Sequence, residues 1–144
     1  MLPTSSENGD LPPGIHAAGL DEIERRFGSE NAARARAMAT LRHLHELALR
    51  TGFLSSFYVF GSFASAEPEP RDIDVVLIMD ATFKVEECPR ESRTLFLHAD
   101  AQARYGASIF WLRRGMLTQD ALDEFMRVWQ TRRDGTVRGI LEVA

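Results

Sequence analysis

Two nearly unbroken apolar runs, 57–60 and Ile73–Met79, occupy the middle of the chain and are separated by a polar, proline-containing stretch. Short runs rich in aromatic and β-branched residues predict strands, and their lack of alternation predicts burial on both faces. A helical period governs the segment before them. Ala37, Leu41, Leu44 and Ala48 recur on one face, and Met38 and Leu47 widen the stripe. With Ser29 as N-cap and Gly52 as stop, this predicts a long helix to about Arg50. A short helix is predicted over 21–27, ending at Gly28. The segment 81–90 mixes charges with Pro89 and predicts a loop. A helix from Glu91 to about Arg104, a strand over 107–112 and a helix from about Leu117-Thr118 to Arg132 follow. The stretch 138–143 suits a last short strand or an extended tail. Residues 1–19, with Pro3, Pro12 and Pro13, predict a flexible start and an extended arm before a single domain over 20–144. The order predicts an α/β (α+β) domain, a small mixed sheet flanked by helices.

The junctions of the two strands carry the chemistry. The first run ends in Gly61-Ser62, and nine residues later Asp72 and Asp74 flank Ile73 at the head of the second. Side chains alternate along a strand, so the two carboxylates share a face. Like charges held side by side are costly unless a cation lies between them, and paired hard oxygens suit Mg²⁺ completed by substrate phosphates. A glycine-serine turn lets backbone amides approach such phosphates. A plainer reading remains open, in which Asp72 terminates a turn after Pro70-Arg71 and Asp74 is an exposed edge position. Arg71 suits either a phosphate contact or a solvated turn.

This pattern, an apolar residue followed by Gly-Ser, nine residues, then Asp-Ile-Asp, resembles the signature of the nucleotidyltransferase superfamily, which includes DNA polymerase β and the minimal nucleotidyltransferases of bacteria. The chain is similar over nearly its whole length to bacterial nucleotidyltransferase-like proteins. The similarity includes Leu-Pro-Pro-Gly-Ile-His at 11–16, the helix-forming segment 20–28 and the Gly-Ile-Leu-Glu segment at 139–142. The resemblance implies a minimal nucleotidyltransferase fold. It also implies Mg²⁺ held by Asp72 and Asp74, and a nucleoside triphosphate cradled by Gly61, Ser62 and Arg71. The acceptor hydroxyl would belong to a protein, an RNA end or a small molecule. Members usually add a third carboxylate on a later strand; the matching position here is at or near Ser108, which is neutral. That departure favours an alternative, a weakly active or inactive binding protein such as a nucleotide sensor or the antitoxin partner of a small helical toxin. A homo-oligomer is a further expectation.

Composition narrows the field. The chain has 144 residues, 44% hydrophobic and 26% charged, as expected for one globular domain. Its net charge of −4 argues against a dedicated duplex binder, although a nucleic-acid acceptor stays open. All the basic residues except Lys84 are arginines, and the group Arg132, Arg133 and Arg138 reads as solvated surface. Arg113 and Arg114, after the third predicted strand, are further ligand candidates. A single cysteine, Cys88, excludes an intramolecular disulfide and fits a reducing compartment. No leader is expected, since the start carries Glu7 and Asp10 and lacks an apolar core, nor is a membrane span; the expected location is cytoplasmic. His43 and His45 face different directions on their helix, and His45-Glu46 lacks the second histidine of a zinc helix. His98 suits a packed or surface position in mid-helix. His16 belongs to the family-like opening. Trp111 and Trp129 are most simply core aromatics, with base stacking the lesser alternative.

Overall fold

Among the described residues, five strands form one mixed sheet: β1 (Ile15–Ala18), β2 (Leu54–Phe60), β3 (Ile73–Met79), β4 (Ala107–Arg113) and β5 (Ile140–Val143), in spatial order β1-β5-β2-β3-β4. β2 runs antiparallel to both β3 and β5, whereas β1 pairs with β5, and β3 with β4, in parallel. The helices are α1 (Leu20–Ile23), α2 (Ala32–Arg50), α3 (Arg90–Arg93), α4 (His98–Tyr105) and α5 (Gln119–Gln130). The computed structural model describes residues 2–5, 9–132 and 134–144, so Glu7 and Arg133 lie outside the described residues. The architecture is the small mixed sheet with flanking helices that the pattern predicts. Among the described residues, no helix is long and apolar enough to cross a membrane.

The central strands are apolar throughout because both sheet faces are covered. On one face Phe57, Val59, Ile73, Val75, Leu77 and Met79 meet the α2 stripe of Met38, Leu41, Leu44, Leu47 and Ala48. On the other, Phe60, Val76, Ile78 and Ile140 pack with Met126 of α5. Trp111 belongs to the first core, edge-on to Phe83 and Phe96 at 5.6 and 5.2 Å. Phe83 also anchors the segment expected as a loop, being 1% exposed.

Several boundaries move. The terminal segments are sheet: β1 pairs all four of its residues with β5, Gly139 N–H donates to Leu11 O and Ile140 N–H to Gly14 O. Leu11 is buried, so residues 10–18 lie against the body as its edge. The segment 138–143 is therefore an interior strand between β1 and β2, not a tail. Asn31, not Ser29, caps α2, accepting from Arg34 N–H at 2.9 Å, while the Ser29 hydroxyl turns back toward Arg25 O. Gly28 does not end α1 in a left-handed residue. It closes a wide π-type turn over Glu24–Gly28, where a Cβ would strike the Met38 side chain at 2.7 Å. The helix expected from 91 to 104 breaks into α3, a tight turn over Thr94–Phe96, and α4. Burial of Leu95 and Phe96 bends the chain, and Leu97 is extended. His98 thus opens α4 instead of lying in its middle. α5 stops at Gln130, because Thr131 is extended and bridges Val137 across a loop.

Candidate functional site

β2 and β3 lie side by side with Phe60 opposite Asp74, so the end of one strand delivers Gly61 to the head of the other. Gly61 has φ +75°, a conformation that side chains disfavour, and a Cβ there would overlap the Asp74 carboxylate. The glycine is required twice, by its backbone angle and by the approach of the carboxylate. Ser62 then begins a tight turn, Ser62–Ala64, that leads the chain out of the sheet.

Asp72 and Asp74 flank Ile73, which is 2% exposed on the α2 face, so Asp74 points to the α5 face, while Asp72, just ahead of β3, borders both the acid cavity and the neighbouring one against α2. Ser62, Glu67, Glu69, Arg71, Asp72 and Asp74 line one open cavity of about 360 Å³. Sequence reasoning placed Gly61, Ser62, Arg71 and the two acids together, and the structure does bring them together. The carboxyl of Asp74 is held above the usual carboxylate range, first by burial and then by the Asp72 charge. The Ser108 hydroxyl and the Arg138 guanidinium pull it the other way.

The turn beyond Ser62 is fixed by a residue the sequence reading passed over. Arg34 is 2% exposed, and its guanidinium donates to Phe27 O at 3.1 Å, Phe63 O at 2.9 Å, Ser65 O at 2.7 Å and Glu67 O. Planar guanidinium geometry suits this bridging of several carbonyls, which a lysine cannot reproduce. Asn31, the α2 cap, donates to Pro68 O at 2.8 Å. Ser65 donates to Ser62 O and accepts from Glu67 N–H. The loop linking Gly61-Ser62 to Asp72 is thereby moored to the start of α2. The signal was in the sequence: Arg34, Met38 and Leu41 recur at helical spacing, so Arg34 falls on the apolar stripe.

Ser108 stands opposite Asp74 in the β3–β4 register, the position expected for a third acid, and donates to Gln102 Oε1 at 2.9 Å. Arg113 and Arg114 lie at the other end of β4, away from the acids; Arg113 donates to Phe83 O and Arg114 to Ser55 Oγ. Arg71 is exposed at the rim, between the acid cavity and a neighbouring one of about 490 Å³ against α2 and Tyr105. The C-terminal arginines are not uniformly solvated. Arg132 pairs with the buried Asp10 carboxylate at 2.8 Å. Arg138 is half-buried ahead of β5, within the field of Asp10 and Asp74, and burial lowers its pKa. Its role was not visible in sequence because that depends on β5 lying beside β2. His43 is exposed, and His45 packs against Phe57 with its pKa lowered by burial. His16 Nε2 sits 2.7 Å from Pro12 O, within the N-terminal segment.

Two carboxylates on one cavity fit a hard divalent ion that takes its remaining ligands from water and a bound anion. Among the described residues no three His, Cys, Asp or Glu side chains converge to hold a metal. The pair therefore fits Mg²⁺ as a shared ligand set with a phosphate, and not as a protein-only cage.

No curated protein and no solved structure matches the chain. A family model described as a family of unknown function, DUF6932, matches residues 3–144, essentially end to end, and the chain belongs to that family.

Proposed function

We propose that the protein is a nucleotidyltransferase-like enzyme that binds a magnesium–nucleoside triphosphate and transfers a nucleoside monophosphate to an acceptor hydroxyl. The observation that carries this reading is the meeting of Gly61 with the Asp74 carboxylate, which lines one open cavity together with Ser62 and Asp72. Asp72 and Asp74 are the residues that would hold Mg²⁺. When bound, the ion offsets charge on the α-phosphate and the departing pyrophosphate. The Gly61-Ser62 turn offers backbone amides and a hydroxyl to the terminal phosphates, and Arg71 meets them at the rim. In the transfer, the acceptor oxygen forms a bond to the α-phosphorus, the bond from that phosphorus to the pyrophosphate oxygen breaks, and the hydroxyl proton leaves to solvent. The acceptor is a protein, an RNA end or a small molecule. Such chemistry belongs in the cytoplasm, where nucleoside triphosphates are made and used.

A second reading has its own observation. Ser108 occupies the place expected for a third acid and donates its hydroxyl to Gln102, so β4 brings no carboxylate opposite Asp74. That favours a nucleotide-binding protein with little turnover, acting as a sensor or as the antitoxin partner of a small helical toxin, as a monomer or a homo-oligomer.

Thermal melting with each nucleoside triphosphate, with and without Mg²⁺, tests the shared element of both readings. Saturation at about a hundred times Kd stabilises a fold by about 2.7 kcal/mol, several degrees for a domain of this size. The expected result is a Mg²⁺-dependent rise that Asp74→Ala abolishes. No rise with any nucleotide refutes the site, and transfer of a labelled α-phosphate separates enzyme from binder.

A further inference from the structure

Asp74 is not alone on its face of the sheet. Phe110 lies two residues after Ser108 on β4 and shares its side. At 3.2–3.4 Å rise per residue, its ring starts roughly 7 Å along the strand from the Ser108–Asp74 row. Trp129 of α5 packs 4.7 Å from the Phe110 ring and 4.5 Å from the Phe60 ring, at tilts of 35° and 37°. Phe125 backs Trp129 edge-on at 5.5 Å. Phe60 is 8% exposed, so it is the floor of this cluster, but Phe110 is 36% exposed.

The exposure has a structural cause. β4 is the edge strand, and α5 ends at Gln130, one residue past Trp129, while His98 at the start of α4 lies 5.3 Å from the Phe110 ring at a tilt of 42°. A rigid ring held among Trp129, Phe60 and His98 and still more than one-third exposed offers a surface on which a base can stack. Gln102 of α4, whose carbonyl receives the Ser108 hydroxyl, is exposed beside the acid row and brings a carboxamide able to donate and accept.

We propose that Phe110 is the seat of the nucleobase, backed by Trp129 and Phe60, with Gln102 at the polar edge of the base. The assignment rests on the nucleotide reading above and adds to it the part of the substrate that the acids do not touch. The ribose spans the interval from the acid row to Phe110. Stacking makes the seat tolerant of base identity, since every base presents a π-face.

The experiment is titration calorimetry of the full chain with Mg²⁺–nucleoside triphosphate and with Mg²⁺–tripolyphosphate, which has phosphates and no base. The wild type is expected to prefer the nucleotide by about tenfold, within the range of one stacked base. Phe110→Ala and Phe110→Leu should lose that preference and keep the tripolyphosphate affinity, whereas Phe110→Trp restores the preference. Phe110→Leu keeps apolar bulk, and melting curves establish that each variant is folded. Equal binding of the two ligands by the wild type, or a preference that survives in folded Phe110→Ala and Phe110→Leu, overturns the base seat and leaves the acid site standing. Failure of both ligands to bind the wild type overturns the nucleotide reading and the seat with it.

Discussion

One strand, β3, lies on both faces of the sheet, and the two sides end differently. Toward α2, Ile73, Val75, Leu77 and Met79 are each 2% exposed or less along the whole strand. Toward α5, Val76 and Ile78 are buried, but Asp74 at the head, like Asp72 just ahead of it, is half-exposed. The closed side is completed by α2, the longest helix. The open side is covered by the shorter α5 over only part of the strand. Core and candidate site are therefore the same strand read on opposite faces, and the site lies where helical cover stops.

The largest expected effect is on the closed face. Leu77→Ala leaves a cavity in a side that cannot collapse and should cost about 3 kcal/mol in chemical denaturation. Leu122→Ala, on the half-buried α5 side, should cost about 1 kcal/mol; equal losses would mean that the two faces are equally closed. Next is Arg34→Lys, which leaves buried carbonyls of the site loop unpaired and should cost about 2 kcal/mol while loosening residues 62–68 to proteolysis. A lysine variant as stable as the wild type would remove Arg34 as the mooring of that loop. Gly61→Ala should cost about 1–3 kcal/mol through strain and overlap with Asp74, and should also abolish any Mg²⁺–nucleotide response.

The smallest effect has the opposite sign. The folded pKa of Asp74 is raised, by burial and then by Asp72, so its ionised form opposes folding. Below the ordinary aspartate pKa of about 3.9 the group is protonated in both states and carries no penalty. The penalty grows as pH rises from there and is complete above the folded pKa. Asp74→Asn should therefore raise Tm by a few degrees at neutral pH, an advantage that fades as pH falls toward about 4 and is absent below it. A variant that melts lower at neutral pH would show that the carboxylate is already compensated within the protein.

The α2 stripe, the two apolar runs and the Gly61-Ser62 and Asp72–Asp74 junctions could be read directly, because period and turn chemistry are local properties. The place of Ser108 was reached through the family resemblance, and its register opposite Asp74 follows from the parallel pairing of β3 and β4. The role of Arg34 was within reach as a charge on an apolar stripe. Ile15–Ala18 offered too short a pattern, and its pairing with Ile140–Val143 joins opposite ends of the chain, a contact no local window contains.

By itself the sequence determined the class of fold and marked Asp72 and Asp74 as candidates, because they flank Ile73 at the head of an apolar run. Only the tertiary structure decided what surrounds them. The mooring of the loop by Arg34, the nearness of Arg138 and the partial exposure of the Phe110 ring all depend on which helix covers which face and where it ends, and long-range packing sets that cover.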